Sequence, residues 1–249
     1  MRALLLEKLK LFVTGFLLVS LLWYAAYLVI GRAVMPNPLI VLRAVPYLLN
    51  HNIVLHFTHS LYRILVGLGA SMLVGLVIGI LAADRVASKV LTPFLYLTYP
   101  IPRVALLPVV MLVFGLGDTS KIIMISLIVV FPIIIVVRDS VKDIPKETYN
   151  TLTCLGASRL QVFVTITLPW AAASILSTMR ISLGTAMAIL FFTETYGTTF
   201  GMGFFILDMW QRINYVMMFA GIVVLSIAGF FLFICIDLLE GILLKWKKA

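Results

Sequence analysis

Apolar stretches long enough to cross a lipid bilayer recur along this chain, with short polar segments between them. A helix that crosses hydrocarbon needs about 20 apolar residues, each rising about 1.5 Å. Six segments reach or approach that length: about 10–31, 61–83, 90–116, 120–137, 172–196 and 215–238. In the first, Leu11 to Gly31 runs 21 residues without a charge. That is long for the core of a signal peptide, and no small-residue cleavage site is obvious, so the segment reads as a retained span. Pro93, Pro100, Pro102 and Pro108 break the third. A proline removes a donor and crowds the preceding turn, which is tolerated at membrane depth where protein or water satisfies the backbone. Arg103 stands among them, facing a cavity at depth or snorkelling from the interface.

Within the second segment Gly67, Ser71, Gly75 and Gly79 recur every four residues and form one smooth stripe. Small residues let another backbone approach closely, either within the chain or between two copies. In the fifth, Arg180, Gly184, Met187, Phe191 and Glu194 share a face. Two ionisable residues on one intramembrane stripe suggest a bundle interior or a water path. The plainer reading gives each its own structural partner. They lie fourteen residues apart, roughly 21 Å along a helix, so they cannot pair with each other. Asp237 and Glu240, at the end of the sixth segment, read as interfacial residues near Lys245 and Lys247.

Composition narrows the class. Of 249 residues 63% are hydrophobic and 12% charged, with a mean hydropathy of +1.15. A soluble fold cannot hide that much apolar surface, so the expectation is an all-α membrane protein of about six transmembrane helices. The formal charge of +9 has no soluble basic face to carry it to nucleic acid. It fits basic residues flanking spans instead. With the N-terminus inside, twelve basic residues fall on the inner segments, including Arg85, Arg138, Arg159, Lys245, Lys247 and Lys248. Five fall outside: Arg32, Arg43, Arg63, Lys121 and Arg212. The positive-inside rule then favours both ends inside. Cys154 and Cys235 offer neither a disulfide nor a zinc spacing. His51, His56 and His59 lie in an outer connection, 32–60, and lack carboxylate support for a metal.

The longest charged stretch, residues 138–170, lies inside. Thr148 to Leu155 reads as a short helix ending at Gly156. Ala157 to Leu168 reads as a second, with apolar residues three and four apart, stopped by Pro169. Such a helix–turn–helix suits docking into a groove on a partner, though an ordered surface loop fits as well.

Here the sequence resembles a family. Gly156, nine residues, then Ile166-Thr167-Leu168-Pro169 resembles the second half of the EAA loop of ABC-importer permeases, the binding-protein-dependent transport family. Residues 97–121, LTYPIPRVALLPVVMLVFGLGDTSK, resemble the Pro-rich segment and Gly-x-Gly turn of its nitrate, sulfonate and taurine branch. LGASRLQVF, 155–163, and ETYGTTFGMGFFI, 194–206, resemble that branch too. The motif's Glu is Asn150 here, with Glu147 one turn earlier.

The resemblance implies a type I ABC-importer permease fold. It divides the chain into an N-terminal helix and outer connection, 1–60, and a five-helix permease core, 61–249. Asn150, Leu155, Gly156, Ala157, Ser158 and Arg159 would form the coupling helix against an ATPase. Arg103, Arg180, Met187, Phe191 and Glu194 would line the pathway. The implied partners are a second permease copy, two ATPase subunits holding ATP and Mg, and an extracytoplasmic binding protein, in a prokaryotic inner membrane. The implied cargo is a small anion or organic acid, with a pyrimidine vitamin precursor or riboflavin-like compound as the alternative. The sequence has no G-x-x-x-x-G-K-[ST], H-E-x-x-H or G-x-S-x-G motif, so no cofactor is expected on this chain. An ion-coupled transporter would need more intramembrane carboxylates or inverted repeats. A membrane enzyme would need a nucleophile–base or metal set, and none is evident.

Overall fold

A computed structural model describes residues 2–31 and 34–244. Of the basic residues weighed for orientation, Arg32, Lys245, Lys247 and Lys248 lie outside the described residues. The chain folds into eleven α-helices among the described residues: α1 (Arg2–Ile30), α2 (Pro38–Ala44), α3 (Ile53–Ala83), α4 (Ser88–Thr98), α5 (Leu107–Phe114), α6 (Asp118–Lys142), α7 (Lys146–Cys154), α8 (Arg159–Val162), α9 (Leu168–Glu194), α10 (Met202–Gln211) and α11 (Tyr215–Leu243). Four continuous runs are long and apolar enough to span: 53–83, 118–142, 159–194 and 215–243. The Pro-rich third segment is two helices bent 86° at the break, and the apolar part of α1 is Thr14–Ile30.

Two span boundaries differ from the sequence expectation. The second span begins at Ile53, not near 61. His56 and His59 therefore sit in the first turns of α3, where His56, Ser60 and Arg63 are buried on one face. Polar residues read as a connection because nothing local reveals the partners that bury them. The second correction concerns Pro169, which does not stop a helix. Residues 163–167 form a π turn, with the Leu168 N–H reaching back to the Phe163 carbonyl. The wider turn relieves the clash between the proline ring and the carbonyl four residues earlier. One helical run therefore continues from Arg159 to Glu194.

The core is built around α6, which packs along both α3 and α9. Met124, Ile125, Ile133, Ile175 and Leu190 are buried there. A second cluster joins α2, α10 and the start of α11 through Val41, Leu48, Met202, Phe205 and Ala220. The small-residue stripe of α3 packs against α6. A Cβ on Gly67 would fall 2.8 Å from Ile125, one on Gly75 2.5 Å from Ile133, and one on Gly79 2.6 Å from Val137. The offset between partners is constant at 58 positions (67 with 125, 75 with 133, 79 with 137), so α3 and α6 run parallel and in step. Ser71 sits in the same seam and donates to the Gly67 carbonyl. Leu112, Leu97 and Ile181 are among the many large apolar side chains on the outside, as a lipid-facing surface requires.

This arrangement gives the bundle two ends. One carries α7, α8 and the start of α9, here the loop end. The other carries the starts of α3 and α6, the end of α9 and α10, here the far end.

Candidate functional site

At the loop end, the connection between α6 and α9 is a helix–turn–helix closed by its own caps. Gly156 has φ +80. Its N–H bonds to the Thr153 carbonyl, and the Ala157 N–H bonds to that of Leu152. That double bond satisfies the last carbonyls of α7 and calls for a residue that tolerates positive φ. Ser158 then caps α8: its Oγ accepts from the Gln161 N–H, while its own N–H donates to Gln161 Oε1 at 2.7 Å. Tyr149 Oη lies 3.2 Å from Thr167 Oγ1, tying α7 to the π turn. With the backbone satisfied internally, the outward surface is left to side chains. Leu155 is 78% and Leu160 69% exposed; Ser158 and Arg159 are exposed beside them, and Ala157 is half-buried. Asn150 and Glu147 are both exposed on α7.

Also toward the loop end, Arg180 on α9 pairs with Asp237 at 2.7 Å and with Glu240, both on α11. Asp237 and Glu240 are thus partners of Arg180, rather than groups set only by the interface. The three side chains keep 34%, 33% and 20% of their surface exposed. Arg103 has a different task. Its guanidinium donates to the carbonyls of Thr98 and Tyr99, each at 3.2 Å, and lies 3.9 Å over the Phe131 ring. It closes the broken end of α4 where Pro100 and Pro102 end the helix. Of the remaining stripe residues, Met187 packs toward Gly229 of α11, Gly184 is open, and Phe191 is part-exposed.

The far end holds the densest polar arrangement among the described residues. Arg63 on α3 uses all five of its N–H donors. Nε and Nη2 reach Asp118 Oδ1 (2.8 and 2.6 Å). Nη1 reaches Glu194 Oε1 (2.7 Å) and the Phe200 carbonyl (2.8 Å), and Nη2 also reaches Thr198 Oγ1 (3.3 Å). Glu194, 0% exposed, accepts from Ser60 Oγ and from the Gly203 N–H at 2.8 Å. The Met202 N–H donates to Ser60 Oγ, and the Gly201 N–H to His56 Nδ1. Gly201 caps α10, so these donors are the otherwise unsatisfied start of that helix. A carboxylate placed there is favoured by the helix dipole as well. Lys121 on α6, also 0% exposed, donates to the carbonyls of Leu116 and Gly197.

The glycines of 197–203 follow from this crowding. A Cβ on Gly201 would meet the Glu194 carboxyl at 2.5 Å and Arg63 Nη1 at 2.7 Å. One on Gly203 would meet the Phe191 carbonyl oxygen at 2.5 Å. The formal charges balance, with Arg63 and Lys121 against Asp118 and Glu194. By sequence alone Arg63 and Lys121 read as flanking cations, and Asp118 has no role. A usable signal was present, since each of three apolar spans carries an isolated charge near the same end. His59 lies 3.6 Å from Asp118 at the rim of this cluster. Among the described residues no group of three His, Cys, Asp or Glu side chains gathers for a metal ion.

An all-helical bundle with broken and continuous spans, carrying a capped helix–Gly–helix at one end, defines the class: a multi-span membrane protein. The chain belongs to the family described as binding-protein-dependent transport system inner membrane component, which matches residues 72–248. It is 33% identical over 192 residues to the taurine transport system permease protein TauC of Escherichia coli, covering 77% of this chain and 70% of that one. It is 32% identical to the putative aliphatic sulfonates transport permease protein SsuC of Bacillus subtilis, covering 89% and 81%. The formylaminopyrimidine transport permease protein ThiX of Halalkalibacterium halodurans is 30% identical, with 94% of each covered. Among solved structures, an inward-facing form of the MetNI methionine ABC transporter shares the fold. The TM-score is 0.65 at 19% identity, covering 77% of this chain and 95% of that one. This chain is therefore a permease subunit of an ABC importer, an inner-membrane component whose ATPase resides on separate chains.

Proposed function

We propose that this permease imports a small anion or organic acid of the nitrate, sulfonate or taurine kind, with the 138–170 loop as its power input. The observation that carries the power-input reading is the capped turn at Gly156. Its backbone is satisfied within the loop, so Leu155, Ala157, Ser158, Arg159 and Leu160 are presented as a firm knuckle to a partner groove. Asn150 stands on the same short helix pair. ATP-driven closure of two ATPase subunits moves the knuckle, and α9, continuous with it through the π turn, transmits the motion. Two copies of the permease form the pathway, with Arg180, Met187 and Phe191 of α9 on its wall. ATP and Mg stay on the ATPase, and this chain needs no cofactor.

The loop end faces the cytoplasm in this reading, with both chain ends inside. Two of the five basic residues counted on the opposite side, Arg63 and Lys121, are buried in the far-end cluster instead of facing water. That sharpens the charge asymmetry in favour of this orientation. An extracytoplasmic binding protein delivers cargo at the far end.

The names of two relatives, for taurine and for aliphatic sulfonates, support the substrate class. The formylaminopyrimidine relative supports the second reading, a pyrimidine precursor. Arg103 is engaged by the chain's own carbonyls and Arg180 by its own carboxylates, so selection belongs mainly to the binding protein.

The test is co-purification with the cognate ATPase. The wild-type chain retains the subunit, and Leu155→Asp releases it without lowering the amount of folded permease. Retention by the variant, or transport by this chain alone, overturns the reading. Calorimetry of the partner binding protein with taurine and with formylaminopyrimidine separates the two substrate classes.

A further inference from the structure

The far-end cluster has no role in the reading above, and it is built more tightly than capping one helix requires. Arg63 comes from α3, Asp118 and Lys121 from α6, and Glu194 from α9. Between them they also hold both glycine turns that close this end. Arg63 holds the Phe200 carbonyl and Lys121 the Gly197 carbonyl, while Lys121 also takes the Leu116 carbonyl in the turn before α6. Gly197 stands directly on Leu116, leaving no room for a Cβ. Every donor of Arg63 is occupied, and Glu194 and Lys121 have no exposed surface. Separating α3 from α9 would leave Arg63 or Glu194 uncompensated in a low-dielectric interior, and separating α6 would strip buried Lys121 of its Gly197 carbonyl.

We propose that Arg63, Asp118, Lys121 and Glu194 are positioning residues for transport, locking the far ends of α3, α6 and α9 and their two turns into one block. The block moves as a unit when the permease changes state. Motion delivered at the loop end therefore reaches the far end undiminished, instead of being lost in bending of the 195–201 turn. Helix repacking during the cycle occurs away from this block, from the π turn to the part-exposed Arg180 group. This inference rests on the ABC-permease reading.

The test uses the full complex with its ATPase in nanodiscs. Cys154→Ser and Cys235→Ala remove the two native thiols, and Thr119→Cys and Thr199→Cys place spin labels on the exposed surface of α6 and of the 195–201 turn. The label–label distance is measured without nucleotide and after trapping with ATP and vanadate. A block gives the same distance in both states. A shift beyond the width of the nucleotide-free distribution overturns the proposal.

The second arm adds Glu194→Gln, which removes one charge but keeps volume and hydrogen-bonding capacity. The complex still assembles and hydrolyses ATP, while the distance distribution roughly doubles in width and becomes nucleotide-dependent. An unchanged narrow distribution in that variant overturns the positioning role. If the variant does not assemble, the first arm decides, since it leaves all four residues in place. A labelled complex that contains no ATPase subunit would indict the permease reading itself, a result distinct from a moving far end.

Discussion

The two ends of the bundle solve the same problem, charged groups at the edge of hydrocarbon, in opposite ways. At the far end Arg63 and Glu194 are buried against each other, and Asp118 closes the site from the rim with a third of its surface exposed. Lys121 is buried on backbone carbonyls, and every Arg63 donor has an acceptor. Toward the loop end one cation meets two carboxylates, and all three keep a fifth to a third of their surface. Burial makes the first set strong in geometry and costly to break. Exposure makes the second screened and easy to rearrange. A machine that receives force at one end and transmits it to the other benefits from this division. In the proposed coupling, the yielding contacts lie along the path of the motion and the rigid ones where it ends.

The largest expected effect breaks the rigid end. Arg63→Met leaves Glu194 buried without its cation, and takes the partner of Asp118 at the rim. Removing one member of a buried pair costs about 3–5 kcal/mol. Thermal unfolding of the purified permease should show a clear loss of stability and a poor yield of folded protein. A variant as stable as wild type would mean that the far end is wetter and softer than its geometry says.

The rod joining the ends comes next. Gly75 faces Ile133 with no room for a Cβ. Gly75→Leu must push α3 off α6 over several residues, and overpacking of this kind costs about 1–3 kcal/mol. The in-step packing is shared along the stripe, so Gly79→Val should act in the same direction at Val137. Gly184→Ala, whose Cβ meets nothing within 4 Å, is the control and should leave melting unchanged. Equal effects from Gly75 and Gly184 would contradict a seam confined to α3 and α6.

What the sequence made visible follows from the range over which each signal acts. The stripe of Gly67, Ser71, Gly75 and Gly79 is local and periodic, so it was readable, although its partner α6 was not. The turn at Gly156 was readable for the same reason, because a glycine between two short periodic segments is itself the signal. Pro169 misled because a proline normally ends a helix. The π turn that spares it depends on how residues 163–167 hydrogen-bond, which no apolar period reports. The far-end cluster was hidden because its members are 55 and 131 positions apart along the chain. Helical spacing puts Glu194 on a stripe with Arg180, and that stripe is one face of a helix. The structure gives its two charges separate partners on different helices, α11 for Arg180 and α3 for Glu194, with Glu194 enclosed by the chain itself.

A smaller effect sharpens the loop end. Gly156→Ala puts a Cβ into positive φ with nothing nearby to clash. The cost is the backbone term alone, about 1–2 kcal/mol. It falls on the turn rather than on the bundle. Global melting should therefore change little, while affinity for the ATPase subunit drops, measurable by titration of the purified subunit. A large fall in melting temperature with full ATPase affinity would show that the turn supports the bundle, not the contact.

The smallest stability effect is expected at Arg180. Its charge is shared with Asp237 and Glu240 in a part-exposed setting, where such pairs contribute about 0–1 kcal/mol. Arg180→Ala should leave assembly and melting close to wild type and still reduce transport, because α9 loses its tie to α11 on the face proposed to line the pathway. The remaining Asp237 and Glu240 would then repel each other and any anionic cargo. Adding Asp237→Asn and Glu240→Gln to Arg180→Ala removes that repulsion and should restore part of the transport. If the triple variant transports no better than the single one, the loss comes from the arginine itself. Arg180 would then act on the cargo directly, and the yielding end of the bundle would be a binding site rather than a hinge.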